Sequence, residues 1–207
     1  MSTSELPLRH EFTEGDPRSP ALLMLHGTGG TPRDVAPLGY RIDPEAALLS
    51  PAGSVSENGV ARWFHRYEEG VFDEQDVLRR AGELAEFVER ARDHYGIADR
   101  RLVAVGFSNG ANIAAALTLL RPDVLTEAVL FAAMSPLVDT PRHSLTGTRV
   151  WMSNGERDPM APMASVNRLV GTLRDRGAEV TTHRHTGGHD ITAEALREAA
   201  DWLRQRH

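Results

Sequence analysis

Short apolar runs alternate with amphipathic stretches from one end of the chain to the other, which is how parallel strands covered by helices on both faces read in sequence. Ala21-Leu22-Leu23-Met24-Leu25, Leu102-Val103-Ala104-Val105, Ala128-Val129-Leu130-Phe131 and Val150-Trp151-Met152 are apolar at successive positions, as strands buried on both sides must be. Ala47-Leu48-Leu49 and Val180-Thr181-Thr182-His183 are weaker runs of the same kind. Between the runs, Val77, Leu78, Ala81, Leu84, Ala85, Val88 and Ala91 keep a helical stripe behind an acidic first turn at Asp73, Glu74 and Asp76, a charge sign that suits a helix N-terminus. Further helices are expected over residues 109–121, over a stripe from Met163 to Leu173, and over one from Leu196 to Leu203. Residues 7–14 read as an antiparallel edge strand and residues 53–72, without a period, as a long functional loop. No repeat or linker divides the 207 residues, so one α/β domain with a mostly parallel sheet is expected over 1–207.

Two zeros narrow the chemistry. The chain has no cysteine, and all 23 of its basic residues are arginine. Without thiols there are no disulfides, cysteine nucleophiles or thiolate metal sites. Without lysine there is no P-loop and no Schiff-base chemistry. The net charge is −6 and no basic run forms a stripe, so no nucleic acid partner is expected. No apolar stretch approaches the roughly 18 residues of a spanning helix, and residues 1–5 lack a charged segment followed by an apolar one. Neither secretion nor stable membrane insertion is expected.

The chemistry concentrates where the run ending at Phe107 meets an alanine-rich helix. Gly106-Phe107-Ser108-Asn109-Gly110 is a Gly-x-Ser-x-Gly in the strand-turn-helix context that the motif requires. The turn is tight enough that residues two positions either side of the serine must lack a Cβ, and the helix that follows aims its first N–H groups at the reacting centre. Trp151-Met152-Ser153-Asn154-Gly155-Glu156-Arg157-Asp158-Pro159 runs from a strand into a turn that presents Asp158, and His185-Thr186-Gly187-Gly188-His189 ends a strand in a glycine pair before His189. Ser108, Asp158 and His189 therefore follow one another as nucleophile, acid and base, each past the carboxyl end of a different strand. Leu25-His26-Gly27-Thr28-Gly29-Gly30 offers a glycine-rich turn for the oxyanion. The N–H groups of Thr28 and Asn109 are assigned to it, with Gly29 as the substitute for Thr28 if the turn is rotated by one residue. The expected reaction is ester hydrolysis through an acyl-enzyme on Ser108, with His189 as base and Asp158 orienting it. Because the base must be neutral, activity is expected to fall as the pH drops through the ordinary histidine value of about 6.5.

Other readings of these residues are weaker. A dinucleotide fingerprint in the glycine turn fails because Pro32 occupies its third glycine position. His183, His185 and His189 lack the further ligand that a zinc site wants, so neither a metal nor a cofactor is expected, and His26 is read as shaping the oxyanion turn. Trp63, Phe64, Phe72, Met134, Met160 and Ile191 fall near strand ends and are expected to line the substrate pocket. Arg62 and Arg66 are read as solvated.

These four blocks, in this order, resemble the phospholipase/carboxylesterase family of serine hydrolases, and the likeness spans nearly the whole chain. Arg62-Trp63-Phe64 and Glu69-Gly70-Val71-Phe72-Asp73 look like its bacterial carboxylesterase branch. The resemblance implies an α/β-hydrolase fold without a cap domain, metal-independent and cytoplasmic, often a homodimer, acting on short- or medium-chain esters. Thr31-Pro32-Arg33 departs from the acidic residues that often follow the family's glycine turn. A lysophospholipase or acyl thioesterase would use the same triad with a longer acyl groove. A non-catalytic hydrolase-fold binding protein would be expected to lose a triad residue, and here all three remain.

Overall fold

The structure, a computed structural model, describes residues 6–205; the leader reading of residues 1–5 falls outside them. In chain order, β1 (His10–Thr13) and β2 (Ala21–Leu25) lead to helix α1 (Pro32–Ile42) and β3 (Ala47–Pro51). Two small hairpins follow, β4 (Val55–Glu57) with β5 (Val60–Arg62) and β6 (Arg66–Glu68) with β7 (Val71–Phe72), and then α2 (Glu74–His94). The rest alternates: β8 (Leu102–Phe107), α3 (Asn109–Leu120), β9 (Glu127–Phe131), β10 (Arg149–Gly155), α4 (Met163–Asp175), β11 (Glu179–His185) and α5 (Ala193–Arg204).

Seven strands form one sheet in the order β1-β3-β2-β8-β9-β10-β11. All neighbours are parallel except β1, which pairs antiparallel with β3 at the edge. Successive residues of a strand point to opposite faces, and both faces are covered. Leu23, Leu25, Leu49, Ala104, Leu130 and Met152 pack with residues of α2, α3 and α4. Leu22, Met24, Leu48, Val103, Val105 and Trp151 pack with α1 and α5. The unbroken apolar runs are thus the centre of the sheet, and the alternation read from the sequence is the layering of an α/β-hydrolase fold with no separate cap.

Two stretches of the chain were not foreseen. Helix α1 begins after Thr31, whose side chain accepts from the Asp34 N–H while the Asp34 carboxylate accepts from the Thr31 N–H, a reciprocal cap. Pro32 stands in the first turn, where its missing N–H costs nothing, but Pro37 lies inside the helix, and that proline hides the helix from a pattern reading. The 53–72 segment is not an irregular loop. Its strands are two or three residues long, too short to display a period of two.

From β2 the chain steps outward to β3, then returns to lay β8 on the other side of β2. Open parallel sheets bind ligands at such a switch point, beyond the carboxyl ends of the strands. Here those ends carry the glycine turn after Leu25 and the serine turn after Phe107.

Candidate active site

The serine turn is held in a conformation that few residues adopt. Ser108 has φ 54° and ψ −119°, a sparsely populated region that costs about 1–3 kcal/mol and persists only where packing enforces it. The packing is visible at the flanking glycines. A Cβ on Gly106 would stand 2.6 Å from the Gly110 carbonyl oxygen, and one on Gly110 would stand 2.0 Å from that of Leu25. The helix start is therefore pressed onto the end of β2, with the Ser108 N–H donating to the Phe131 carbonyl at 2.9 Å.

The three residues proposed from the sequence as nucleophile, acid and base come together across 81 positions of chain. The Ser108 hydroxyl lies 2.8 Å from His189 Nε2, and His189 Nδ1 lies 2.7 Å from Asp158 Oδ2. Asp158 is buried, and its other oxygen accepts the N–H groups of Met160 at 2.8 Å and Ala161 at 3.2 Å. A carboxylate can only accept, so Nδ1 carries the imidazole proton and Nε2 presents a lone pair to the serine hydroxyl. The loop bearing His189 is seated against the end of β10, where a Cβ on Gly155 would stand 2.1 Å from the Gly188 carbonyl oxygen.

Of the three oxyanion candidates, two are available. Among the described residues the N–H groups of Thr28 and Asn109 meet no acceptor, the latter in the unpaired first turn of α3. Gly29 corrects the expectation, because its N–H donates to the Ala61 carbonyl at 2.8 Å and cannot serve as the substitute. His26 has the shaping role expected of it. Its Nε2 accepts from Gly53 N–H at 2.9 Å, so Nδ1 carries the proton and donates to the Gly27 carbonyl at 2.8 Å. Burial pushes the pKa of this imidazole down, in keeping with a neutral ring.

A cleft of about 400 Å³ opens over Ser108, His189, His26 and Thr28, with Val35, Leu38, Phe107, Met160 and Ile191 as its apolar wall and Asp34 at its rim. Met160 and Ile191 thus line it as expected; four other expected pocket residues do not. Phe64 is wholly buried and Trp63 and Met134 nearly so, all within the core on the α2–α3–α4 face, while Phe72 packs edge-on against Phe64 with centroids 5.0 Å apart. The rest of the apolar wall comes from Phe107 at the end of β8 and from α1, whose Val35 and Leu38 escaped notice because that helix did. A threonine cap with an acidic residue three positions on, just before Val35 and Leu38, was the available signal.

Arg62 also departs from expectation. It is buried, donates from one terminal nitrogen to the Thr28 hydroxyl at 3.2 Å, and stands 3.3 Å from Glu57. Burial, followed by the charge of Arg66, pushes its pKa down, against Glu57 and Glu69. Arg66 is partly buried and ion-paired with Glu57 and Glu69. His183 is bonded to Glu198 at 2.8 Å, and no group of three potential metal ligands occurs among the described residues. Nor, among them, is any helix long and apolar enough to cross a membrane.

Comparison with known proteins bears on the family and the fold. The family model described as Phospholipase/Carboxylesterase matches residues 12–207. MhqD of Bacillus subtilis (strain 168), whose name gives it as a hydrolase, is 39% identical over 198 residues, covering 96% of this chain and 98% of its own. A Bacillus cereus carboxylesterase structure superposes with a TM-score of 0.91 at 40% identity, covering 95% of this chain and 93% of that one. A carboxylesterase from Mesorhizobium loti gives 0.89 at 28% identity, covering 97% and 96%. With nearly its whole length matched, the chain belongs to the phospholipase/carboxylesterase family and has an α/β-hydrolase fold.

Proposed function

We propose that this carboxylesterase-like hydrolase cleaves short- to medium-chain carboxylic esters through an acyl-enzyme on Ser108. The observation that carries the reading is the unbroken relay from Ser108 Oγ to His189 Nε2 at 2.8 Å and from Nδ1 to Asp158 at 2.7 Å, opening on an apolar cleft. In the first half-reaction Ser108 Oγ attacks the ester carbonyl and its proton passes to His189 Nε2. Asp158 keeps the ring in the required tautomer and stabilises the imidazolium. The carbonyl electron pair becomes an oxyanion facing the N–H groups of Thr28 and Asn109, and its collapse expels the alcohol, which takes the proton from His189. Water then repeats the sequence on the acyl-enzyme and frees the acid. The size of the cleft supports a compact substrate, since about 400 Å³ lies near the lower end of small-molecule sites.

Hydrolysis of p-nitrophenyl esters over a range of acyl lengths, beside thioesters of the same acyl groups, tests this. The expected result is turnover greatest on short or medium chains and abolished in Ser108→Ala. Turnover that rises with acyl length to long chains, or that is confined to thioesters, would favour the lysophospholipase or thioesterase alternative. A folded protein without turnover on any ester or thioester would contradict catalysis altogether.

A further inference from the structure

Trp63, buried and outside the substrate cleft, makes two hydrogen bonds that end on opposite sides of the site. Its backbone N–H donates to Asn109 Oδ1 at 2.8 Å, and its indole N–H donates to the His26 carbonyl oxygen, also at 2.8 Å. Asn109 supplies one oxyanion N–H, and His26 lies two residues before Thr28, which supplies the other. Resting on the ester hydrolase reading given above, we propose that Trp63 is a positioning residue that fixes the separation of the two oxyanion donors by bracing the glycine turn against the start of α3.

The surroundings of Trp63 converge on the same turn. The residues just before it grip the same turn, through Gly29 N–H on the Ala61 carbonyl at 2.8 Å and Arg62 on the Thr28 hydroxyl at 3.2 Å. The His26 ring, 5.0 Å from the Trp63 ring, is held by Gly53 N–H. On the other side the amide of Asn109 has no freedom to flip, because an N–H donor faces it and only its oxygen accepts. That orientation leaves Asn109 Nδ2 buried with no partner among the described residues, a burden that an alanine at this position would avoid. Donors that must meet an oxyanion only in the transition state lose effect when displaced, and a misplacement of about 1 Å can cost on the order of 10²-fold in rate. The structure therefore assigns to β5 and the residue that follows it, Trp63, the task of holding that geometry.

The test compares wild type, Trp63→Phe, which removes the indole N–H, and Asn109→Ala, which keeps the backbone N–H and removes the acceptor of Trp63. For each, kcat and KM on a short p-nitrophenyl ester are measured together with the affinity of a trifluoromethyl ketone of matching acyl length. That ketone adds Ser108 Oγ to its carbonyl carbon and so places an oxyanion in the hole. The expectation is a fall in kcat of about tenfold in each variant, below the 10²–10³ seen when a donor is deleted outright. KM should stay within about twofold, and ketone affinity should fall by the same factor as kcat. Far-UV circular dichroism with a cooperative thermal transition identifies a variant that has not folded, and the other then decides. Folded variants with kcat unchanged, or with kcat lowered while ketone affinity holds, would overturn the brace. A wild type that neither hydrolyses esters nor binds the ketone would overturn the hydrolase reading as well, so the two failures are distinct.

Discussion

The first turn of helix α3 rests on the end of β2 so closely that a Cβ on Gly110 would stand 2.0 Å from the carbonyl oxygen of Leu25. No neighbouring side chain can yield there, because the obstacle is backbone. Gly110→Ala is expected to destabilise the fold by about 3 kcal/mol or more, at the upper end of overpacking, and to move Asn109 away from Thr28. Urea unfolding followed by far-UV circular dichroism measures the first effect. A loss under about 1 kcal/mol would mean that the helix start retreats freely.

Ser108 bears the strain that this contact imposes, at φ 54° and ψ −119°. Glycine adopts such angles without a steric penalty, although it adds freedom to the unfolded chain. Ser108→Gly is expected to be net stabilising by about 1 kcal/mol and inactive, so that stability and function move in opposite directions. Thermal unfolding would show a raised Tm; a lowered one contradicts the strain.

Phe64 and Leu38 separate core from cleft. Phe64, fully buried, should cost about 3–5 kcal/mol when replaced by alanine. Leu38 is part of the cleft wall, and Leu38→Ala is expected to shift the preferred acyl chain toward longer esters with a smaller loss of stability. Acyl-length profiles and unfolding curves for the two variants would show the contrast. A chain-length shift in folded Phe64→Ala would place that ring back in the pocket.

Asp76 ties the second hairpin to α2. Burial pushes its carboxyl up, but hydrogen bonds from Arg79 and from the backbone and ring of His65, with the charge of Arg80, outweigh it and hold the pKa down at about 2. A carboxyl depressed in the folded state stabilises it above the unfolded value near 3.9, and the contribution is lost as the pH falls toward 2. Stability is expected to fall by about 2 kcal/mol between pH 4 and 2 on this account. Asp76→Asn should remove that share of the acid slope and lower stability at pH 7. An unchanged slope in the variant would contradict the linkage.

The sheet and the relay were legible because they write themselves in residue type. Strands buried on both faces read as unbroken apolar runs at Leu22–Leu25 and Val103–Val105, and a serine turn too tight for a Cβ demands Gly106 and Gly110. What escaped was masked by a local exception or set by tertiary contact. Pro37 masks α1, and with it Val35 and Leu38 of the cleft wall. Trp63 and Phe64 lie near the strand ends in sequence, but nothing local tells whether an aromatic there faces a cleft or the core. The loss of Gly29 as a donor depends on Ala61, 32 positions away, whose carbonyl occupies it.

The central claim is that Ser108, set by His189 and Asp158, is a nucleophile, and a fluorophosphonate probe tests it most directly, because phosphorylation of the serine needs no knowledge of the natural ester. Intact-mass and peptide mapping after exposure should find one adduct, on Ser108, in the wild type. Ser108→Ala should show none, and Asp158→Asn should label far more slowly because the imidazole is left in the wrong tautomer. A folded wild type that stays unlabelled, or an adduct mapped to any other residue, would contradict the account.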